Sequence, residues 1–236
     1  MGTAVAERGG RSATDSFEHA IDTLDAELRA VEAVFRGLSN ADWQARTKLE
    51  PIDSTLPHWT VFELAGHFDI SIGLARMLIA APQEGQTGRD RASFFIFPRA
   101  EVAPVVYGYA YKMVEGKTPK DMPDVLHETF SKTIEEARRS RPDLVGPGYY
   151  ALMRVDEFIP SRVVEAVVHG MDLTDALGRD SIATPAGIAM TAAILDDLLT
   201  RRTVAGRPSD LRDDLAWVRA ASGRGEHPDP RLPIIG

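Results

Sequence analysis

The sequence contains no cysteine. This absence excludes a disulfide scaffold, a cysteine-rich structural zinc site and a cysteine nucleophile, so any metal ion must be held by His, Asp and Glu side chains. Such a ligand set suits a site that is open to water or substrate. If the chemistry of this protein uses sulfur, a cosubstrate has to bring it.

The chain also lacks a block of lysine or arginine that could follow a phosphate backbone, and its formal net charge is −8. We therefore expect no nucleic-acid partner. No apolar run approaches the roughly 20 residues that cross a bilayer, and the first residues lack the apolar core of a signal peptide, which predicts a cytoplasmic protein without a membrane partner. Strand-like alternation and internal repeats are missing too, and this favours an all-α fold.

Helical periodicity is present along most of the chain. Apolar residues recur every three or four positions from Phe17 to Phe35, which predicts a long amphipathic helix over 15–38. Thr60 and Glu63 form a capping-box pattern that begins a second helix, predicted to end near residue 81. Further helices are predicted over about 100–115, 121–139, 160–177, 185–202 and 210–221, with Gly178 in the usual position after a helix end.

An apolar fraction of 44% supports a well-buried core. We expect a flexible N-terminal tail over residues 1–13, because this segment is rich in Gly and Arg and has no periodicity. Residues 14–180 are predicted to form a metal-binding helical bundle, and residues 181–236 a helical C-terminal extension packed on it. The tail after Gly223 is predicted to be extended.

Glu165 and His169 stand four residues apart, so both side chains lie on one face of a predicted helix. A carboxylate and an imidazole one turn apart can bind one divalent ion, but zinc needs at least one more protein ligand. His67 is the best candidate, because its neighbours are small or apolar and its imidazole is predicted to face the bundle interior. A core histidine with one hydrogen-bond partner is the alternative for His67 alone.

Three further residues near these candidates have predicted roles. Asp172 could be a metal ligand, an acceptor for an imidazole N–H or a surface residue, and we favour the acceptor. Arg162 is expected to pair with a nearby carboxylate, with an ordinary i,i+3 ion pair as the alternative. Arg224 lies just past the last predicted helix and is a candidate anion contact or an exposed arginine.

Other polar and aromatic residues have simpler explanations. Glu63 and His67 repeat the Glu-x-x-x-His spacing, but helix capping explains Glu63 better than ligation does. The remaining histidines are predicted to have ordinary surface or loop roles: His19, His58, His127 and His227. Five aromatic residues are predicted to be core, with a pocket wall as the alternative: Phe94, Phe95, Phe97, Tyr107 and Tyr111.

Three runs of the sequence, residues 38–43, 59–67 and 162–173, resemble the mycothiol-dependent maleylpyruvate isomerase family within the DinB-like metal-binding bundle superfamily. The resemblance implies a DinB-like four-helix bundle with additional C-terminal helices. It also implies a divalent metal, usually zinc, held by His67, Glu165 and His169. Mycothiol or a related low-molecular-weight thiol would be the cosubstrate, and the substrate would be a small electrophile.

The leading hypothesis is therefore a metal-dependent thiol transferase or isomerase, with Asp172, Arg162 and Arg224 as catalytic residues. Residues 217–224 also resemble the Gly-Arg ending of the family, whose arginine is thought to approach the active site. The residues after Gly178 are predicted to be helical, unlike the α/β C-terminal domain of the isomerase, so we expect a substrate other than maleylpyruvate. A non-catalytic metal-binding protein and a metal-dependent hydrolase are the alternatives, and the hypothesis allows a homodimer.

Overall fold

A computed structural model of the chain describes residues 13–49 and 56–235, and most of them are helical. The elements in chain order are α1 (Ala13–Arg36), α2 (Asn40–Trp43), α3 (Val61–Ala80), a 3₁₀ turn (Ser93–Phe95), α4 (Arg99–Val114), α5 (Met122–Arg139), β1 (Val145–Pro147), β2 (Leu152–Arg154), α6 (Val155–Ala176), α7 (Pro185–Thr203) and α8 (Asp214–Ala221). The predicted flexible tail over 1–13 lies outside the described residues, except for Ala13, which begins α1.

Four long helices, α1, α3, α5 and α6, form a bundle in which each helix packs against two of the others. Helix α4 packs on α3, while α7 packs on α6 and α8 packs on α7. The predicted all-α bundle with additional C-terminal helices is thereby confirmed. None of the helices in the described ranges is long and apolar enough to span a membrane.

Helix α3 begins as the capping-box pattern predicts. The backbone N–H of Thr60 donates to the Glu63 carboxylate at 2.8 Å, and the Thr60 side chain accepts from the backbone of the first turn. One turn further, Gly66 lets α4 approach α3 closely, because a Cβ at this position would collide with the carbonyl oxygen of Ala110. This close approach places the residues of α4 beside His67.

Helix α6 begins at Val155, so the prediction that Pro160 starts this helix was wrong. Pro160 lies inside the second turn, where it cannot donate to the carbonyl of Asp156. The side chain of Arg91 donates to that carbonyl at 3.4 Å and also pairs with Glu157. The helix therefore tolerates the proline, because another group takes the place of the missing donor. At the other end, Gly178 adopts a positive φ of 63°, as its position after the helix predicts.

Two short segments differ from the predicted helices and loops. Residues 145–147 and 152–154 pair as an antiparallel hairpin, which three-residue strands could not reveal by alternation. Helix α8 is shorter than predicted, because Asp213 accepts from the backbone N–H of Ala216 and caps it at this point.

The C-terminal segment is not an extended tail, because it folds back on α8. The backbone N–H of Ile234 donates to the carbonyl of Ala221 at 2.8 Å, and the Ile234 side chain is buried. Near the start of α7, the buried carboxylate of Glu27 accepts from the backbone N–H of Thr184 at 2.8 Å. The contact between Glu27 and Thr184 connects the start of α7 to the bundle. The division of the chain into two parts at residue 180 stays a prediction.

Candidate metal centre

Two neighbouring helices bring the three predicted metal ligands together. His67 extends from α3, and Glu165 and His169 extend from one face of α6. Nε2 of His67 lies 3.0 Å from Nε2 of His169 and 3.4 Å from Oε2 of Glu165. The third distance, between Nε2 of His169 and Oε2 of Glu165, is 3.3 Å. One ligand atom from each residue thus points to a common centre.

These distances fit a divalent metal ion. Zinc bonds of about 2.0–2.1 Å in tetrahedral geometry place the donor atoms about 3.3 Å apart. In the described part of the chain, this is the one group of His, Asp and Glu residues with the spacing of a metal site. Two imidazoles and one carboxylate leave a tetrahedral position for water or substrate. The role of the three residues as ligands stays a prediction.

The protonation states of Glu165 and His67 also suit metal binding. Burial alone would raise the pKa of Glu165, but hydrogen bonds to His169 and His67 and the charge of Arg162 hold it well below the usual value. Burial and the proximity of His169 lower the pKa of His67. A carboxylate and a neutral imidazole are the forms that bind metals.

His169 is oriented by a chain of charged hydrogen bonds. Its Nδ1 lies 2.8 Å from Oδ2 of Asp172, the contact expected from the sequence, and in the neutral imidazole this contact would leave the lone pair on Nε2. Burial lowers the pKa of His169, but the hydrogen bonds to Asp172 and Glu165 outweigh this effect and raise it. The guanidinium of Arg224 binds both oxygens of Asp172, at 2.9 and 2.7 Å. Arg224 is therefore neither exposed nor a free anion clamp, since its charge is already paired with a buried carboxylate.

His67 is held by packing instead. Its Nδ1 is buried and has no hydrogen-bond partner among the described residues. The indole of Trp59 lies against the imidazole, with ring centroids 5.2 Å apart and an interplanar angle of 32°. Tyr107 from α4 stacks on Trp59 in turn, with ring centroids 5.9 Å apart. Trp59 was missed as a site residue, although its place at the entry to α3, just before His67, was visible in the sequence.

Arg162 differs from its predicted role, because no carboxylate in the described part of the chain forms a salt bridge with it. It is 1% exposed, and its guanidinium donates to the carbonyl of Ser71 at 2.8 Å and to the hydroxyl of Ser161. The rings of Phe94 and Phe158 lie 4.5 Å from the guanidinium carbon. Arg162 does not form the i,i+3 ion pair with Glu165, because its side chain turns toward α3 and donates to Ser71.

A mostly apolar cavity of about 770 Å³ leads to the three predicted ligands. Arg162 and Arg224 also line it. Four residues of the aromatic segment line this cavity: Phe94, Phe95, Phe97 and Tyr107. The prediction that they are core is confirmed for Phe95, which is buried, while Phe94 and Tyr107 pack against the core and Phe97 is exposed. Tyr111 packs behind this wall, and its hydroxyl accepts from Tyr107 at 3.0 Å. The aromatic segment thus forms the wall of the candidate site.

The remaining candidates have structural roles. Glu63 caps α3 through Thr60 and is not part of the ligand cluster. His127 is exposed, with Nδ1 lying 3.0 Å from Glu32, and His227 lies 3.2 Å from Asp210. The simpler explanations for these residues agree with the structure.

The sequence model of the mycothiol maleylpyruvate isomerase N-terminal domain matches residues 24–174. The matched region includes the three predicted ligands, Arg162 and Asp172, whereas Arg224 lies beyond it. No curated protein and no solved structure matches the chain.

Proposed function

Because the chain belongs to the mycothiol maleylpyruvate isomerase N-terminal domain family, we propose that it is a divalent-metal-dependent thiol transferase or isomerase. One observation carries the proposal. The side-chain donor atoms of His67, Glu165 and His169 lie within 4.8 Å of one another, and the three residues line an apolar cavity that is large enough for a small metabolite. The family supports mycothiol or a related low-molecular-weight thiol as the cosubstrate.

We assign His67, Glu165 and His169 as the ligands of the metal, and zinc as the metal that best suits this donor set. A bound divalent ion would lower the pKa of the thiol and stabilise thiolate at neutral pH. The protein has no cysteine, so the reacting sulfur comes from the cosubstrate. The apolar wall excludes water, which favours attack by the thiolate over hydrolysis of the substrate.

The chain's own residues supply geometry and charge. Asp172 fixes the orientation of His169, and Arg224 neutralises Asp172. The guanidinium of Arg162 presents a positive charge to the cavity, where it can bind an anionic group of the substrate. In an isomerisation the thiolate sulfur adds to one carbon of the substrate's carbon–carbon double bond, which becomes a single bond and can rotate. The sulfur then leaves as the double bond forms again, so the thiol is regenerated. In a transfer, the sulfur displaces a leaving group and stays bonded to the carbon.

Metal analysis of a His67→Ala variant tests the ligand assignment. We expect the purified variant to lose most of its zinc, because one of three protein ligands is missing. His127→Ala is the matched control, since His127 is exposed and lies outside the ligand cluster. If His67→Ala retained stoichiometric zinc, the assignment would be wrong.

Turnover is tested separately with the zinc-loaded protein, mycothiol and a panel of electrophiles. We expect products whose masses correspond to thiol adducts or to isomers of the electrophile. Ligand-induced thermal stabilisation without any product would contradict catalysis and favour a non-catalytic binding protein. Products that gain the mass of water, formed without thiol, would contradict thiol chemistry and favour a hydrolase.

A further inference from the structure

Arg162 is a buried cation with unused hydrogen-bonding capacity. A guanidinium carries five N–H donors, and three hydrogen bonds are present, one to the carbonyl of Ser71 and two to the hydroxyl of Ser161. Two N–H groups are therefore without a partner among the described residues, although Arg162 is 1% exposed. A buried polar group without a partner is costly, so a ligand that accepts from it would gain free energy.

The surroundings of Arg162 do not neutralise its charge. The rings of Phe94 and Phe158 offer cation–π contacts at 4.5 Å. These contacts stabilise a cation but add no negative charge. Arg224, the other guanidinium of the cavity, differs because both oxygens of Asp172 bind it. Of the two cavity arginines, Arg162 is the one that still lacks an anion.

The charges of the whole site indicate how many negative charges the ligands bring. Among the described residues of the site, the guanidinium groups of Arg162 and Arg224 equal the carboxylates of Glu165 and Asp172 in number, although no carboxylate forms a salt bridge with Arg162. A divalent ion adds two positive charges, and a bound thiolate cancels one of them. One positive charge remains in a low-dielectric cavity, which favours a substrate with a single negative charge.

The rest of the cavity selects an apolar body. Its wall consists mainly of aliphatic and aromatic side chains, and the charged residues that line it in the described part of the chain are Arg162, Glu165 and Arg224, besides the two histidines of the cluster. Among the described residues no lysine lines it, and its other polar groups are the hydroxyls of Ser71 and of four tyrosines, so a second carboxylate on the ligand would meet no further cation. A dicarboxylate would therefore be a poor ligand.

We propose that this site takes amphipathic monoanions, organic acids with an apolar body whose carboxylate binds to Arg162. The proposal rests on the proposed function for the reaction, but it concerns binding and can be tested without turnover, with mycothiol bound to the zinc-loaded protein. The volume of about 770 Å³ leaves room for the acid and part of the thiol together. The Arg162 contact fixes one end of the acid, while the apolar wall holds its body.

Calorimetric titration with four eight-carbon probes tests this specificity: octanoate, octanamide, octylamine and octanedioate. We expect the zinc-loaded protein with mycothiol bound to take octanoate about tenfold more tightly than octanamide, since a charge-assisted hydrogen bond is worth more than a neutral one. Octylamine and octanedioate should bind more weakly than octanamide. Equal binding of octanoate and octanamide, or tighter binding of octanedioate, would overturn the proposal.

An Arg162→Met variant locates the carboxylate. Methionine replaces the buried cation by an apolar chain of similar length, which is compatible with folding. We expect this variant to keep its zinc and its affinity for octanamide but to lose the preference for octanoate. Arg76→Met is the control, because Arg76 pairs with Glu136 and does not line the cavity. A preference that survives in Arg162→Met would place the carboxylate elsewhere, for example on the metal, and would overturn the assignment.

The His67→Ala variant separates this proposal from the proposed function. If it has lost zinc but still prefers octanoate over octanamide, the preference belongs to Arg162, whatever the metal does. Octanoate binding combined with no thiol product in the turnover assay would support the specificity and contradict the reaction. Thiol products formed only from uncharged electrophiles would support the reaction and contradict the specificity.

Discussion

The two histidines of the candidate metal centre are held by different physical means. His169 hydrogen bonds to Asp172, whose carboxylate is in turn bound by Arg224. His67 has no partner for its Nδ1 among the described residues, and the indole of Trp59 lies against its ring. The orientation of His169 is therefore set by charged hydrogen bonds, and the orientation of His67 by packing.

This difference predicts which changes weaken the centre. Hydrogen bonds to a metal-binding imidazole fix both its ring orientation and the nitrogen that carries the proton. Packing fixes the orientation alone, so a change beside His67 should have a smaller effect than the same change beside His169. It also follows that the candidate metal centre depends on two distant segments, the turn after α8 that carries Arg224 and the aromatic wall that includes Trp59.

Asp172→Ala should have the largest effect. The change removes the acceptor of His169 and leaves the guanidinium of Arg224 without its buried partner. We expect zinc affinity to fall about 10–100-fold and the free energy of unfolding to fall by about 3–5 kcal/mol. Zinc competition titrations and urea unfolding measure the two effects.

Asp175→Ala is the matched control for this variant. Asp175 lies on the same helix and pairs with Arg219 at 2.6 Å, but both partners are more exposed than Asp172 and Arg224. We expect a loss of about 1 kcal/mol or less and unchanged zinc affinity. Equal zinc affinity in Asp172→Ala and Asp175→Ala would show that His169 does not need the charged chain.

Trp59→Ala should have the second largest effect on the metal. The change removes the ring that packs on His67 and opens a cavity, which is expected to cost about 3–5 kcal/mol in stability. Zinc affinity should fall by about tenfold, near the lower limit for loss of a supporting residue. Trp59→Phe keeps an aromatic ring at this position and should retain most of the affinity.

Trp43→Ala separates this effect from a general loss of stability. Trp43 is buried and stacks on Phe35, but it does not line the cavity. Both alanine variants should therefore be destabilised, and only Trp59→Ala should lose zinc affinity. Comparable zinc loss in the two variants would mean that packing of the bundle, rather than the contact with His67, controls metal binding.

The local parts of this arrangement were predictable from the sequence. The spacing of Glu165 and His169 placed them on one face of a helix, because helical periodicity is a property of neighbouring residues. The capping of α3 by Thr60 and Glu63 was predictable for the same reason. The apolar neighbours of His67 indicated burial, and the structure places its imidazole beside the other two side chains.

The distant contacts were not predictable in this way. Arg224 and Asp172 are 52 positions apart, and their pairing depends on the turn that follows α8. The direction of the Arg162 side chain depends on how α3 packs against α6, so neighbouring positions suggested the wrong partner. Pro160 was mistaken for a helix start because the donor that replaces its N–H, Arg91, comes from a separate loop.

The pairing of Asp172 and Arg224 can be measured by a double-mutant cycle. Arg224→Ala alone leaves a buried carboxylate without its guanidinium, and Asp172→Ala alone leaves a buried guanidinium. Removing both leaves no unpaired charge, so the double variant should be less destabilised than the sum of the single variants by about 1–3 kcal/mol. Arg219 and Asp175 form the control cycle, for which we expect a smaller coupling. Additive effects in the first cycle would contradict charge as the means by which His169 is held.

A comparison of two buried carboxylates gives the smallest expected effect. Burial alone would raise the pKa of Asp172, but Arg224 and His169 lower it to about 2. The pKa of Glu27 is raised, because burial outweighs its hydrogen bonds from Thr184, and no cation in the described part of the chain pairs with it. A raised folded-state pKa contributes stability below the unfolded value, and this contribution is lost as the pH rises through the folded-state pKa. The stability of the wild type relative to Glu27→Gln should therefore fall as the pH rises above about 4.5. Urea unfolding of both proteins across this range checks the sign, and the zinc content should stay equal. A difference that grows with rising pH would mean that Glu27 is stabilised as an anion, as Asp172 is.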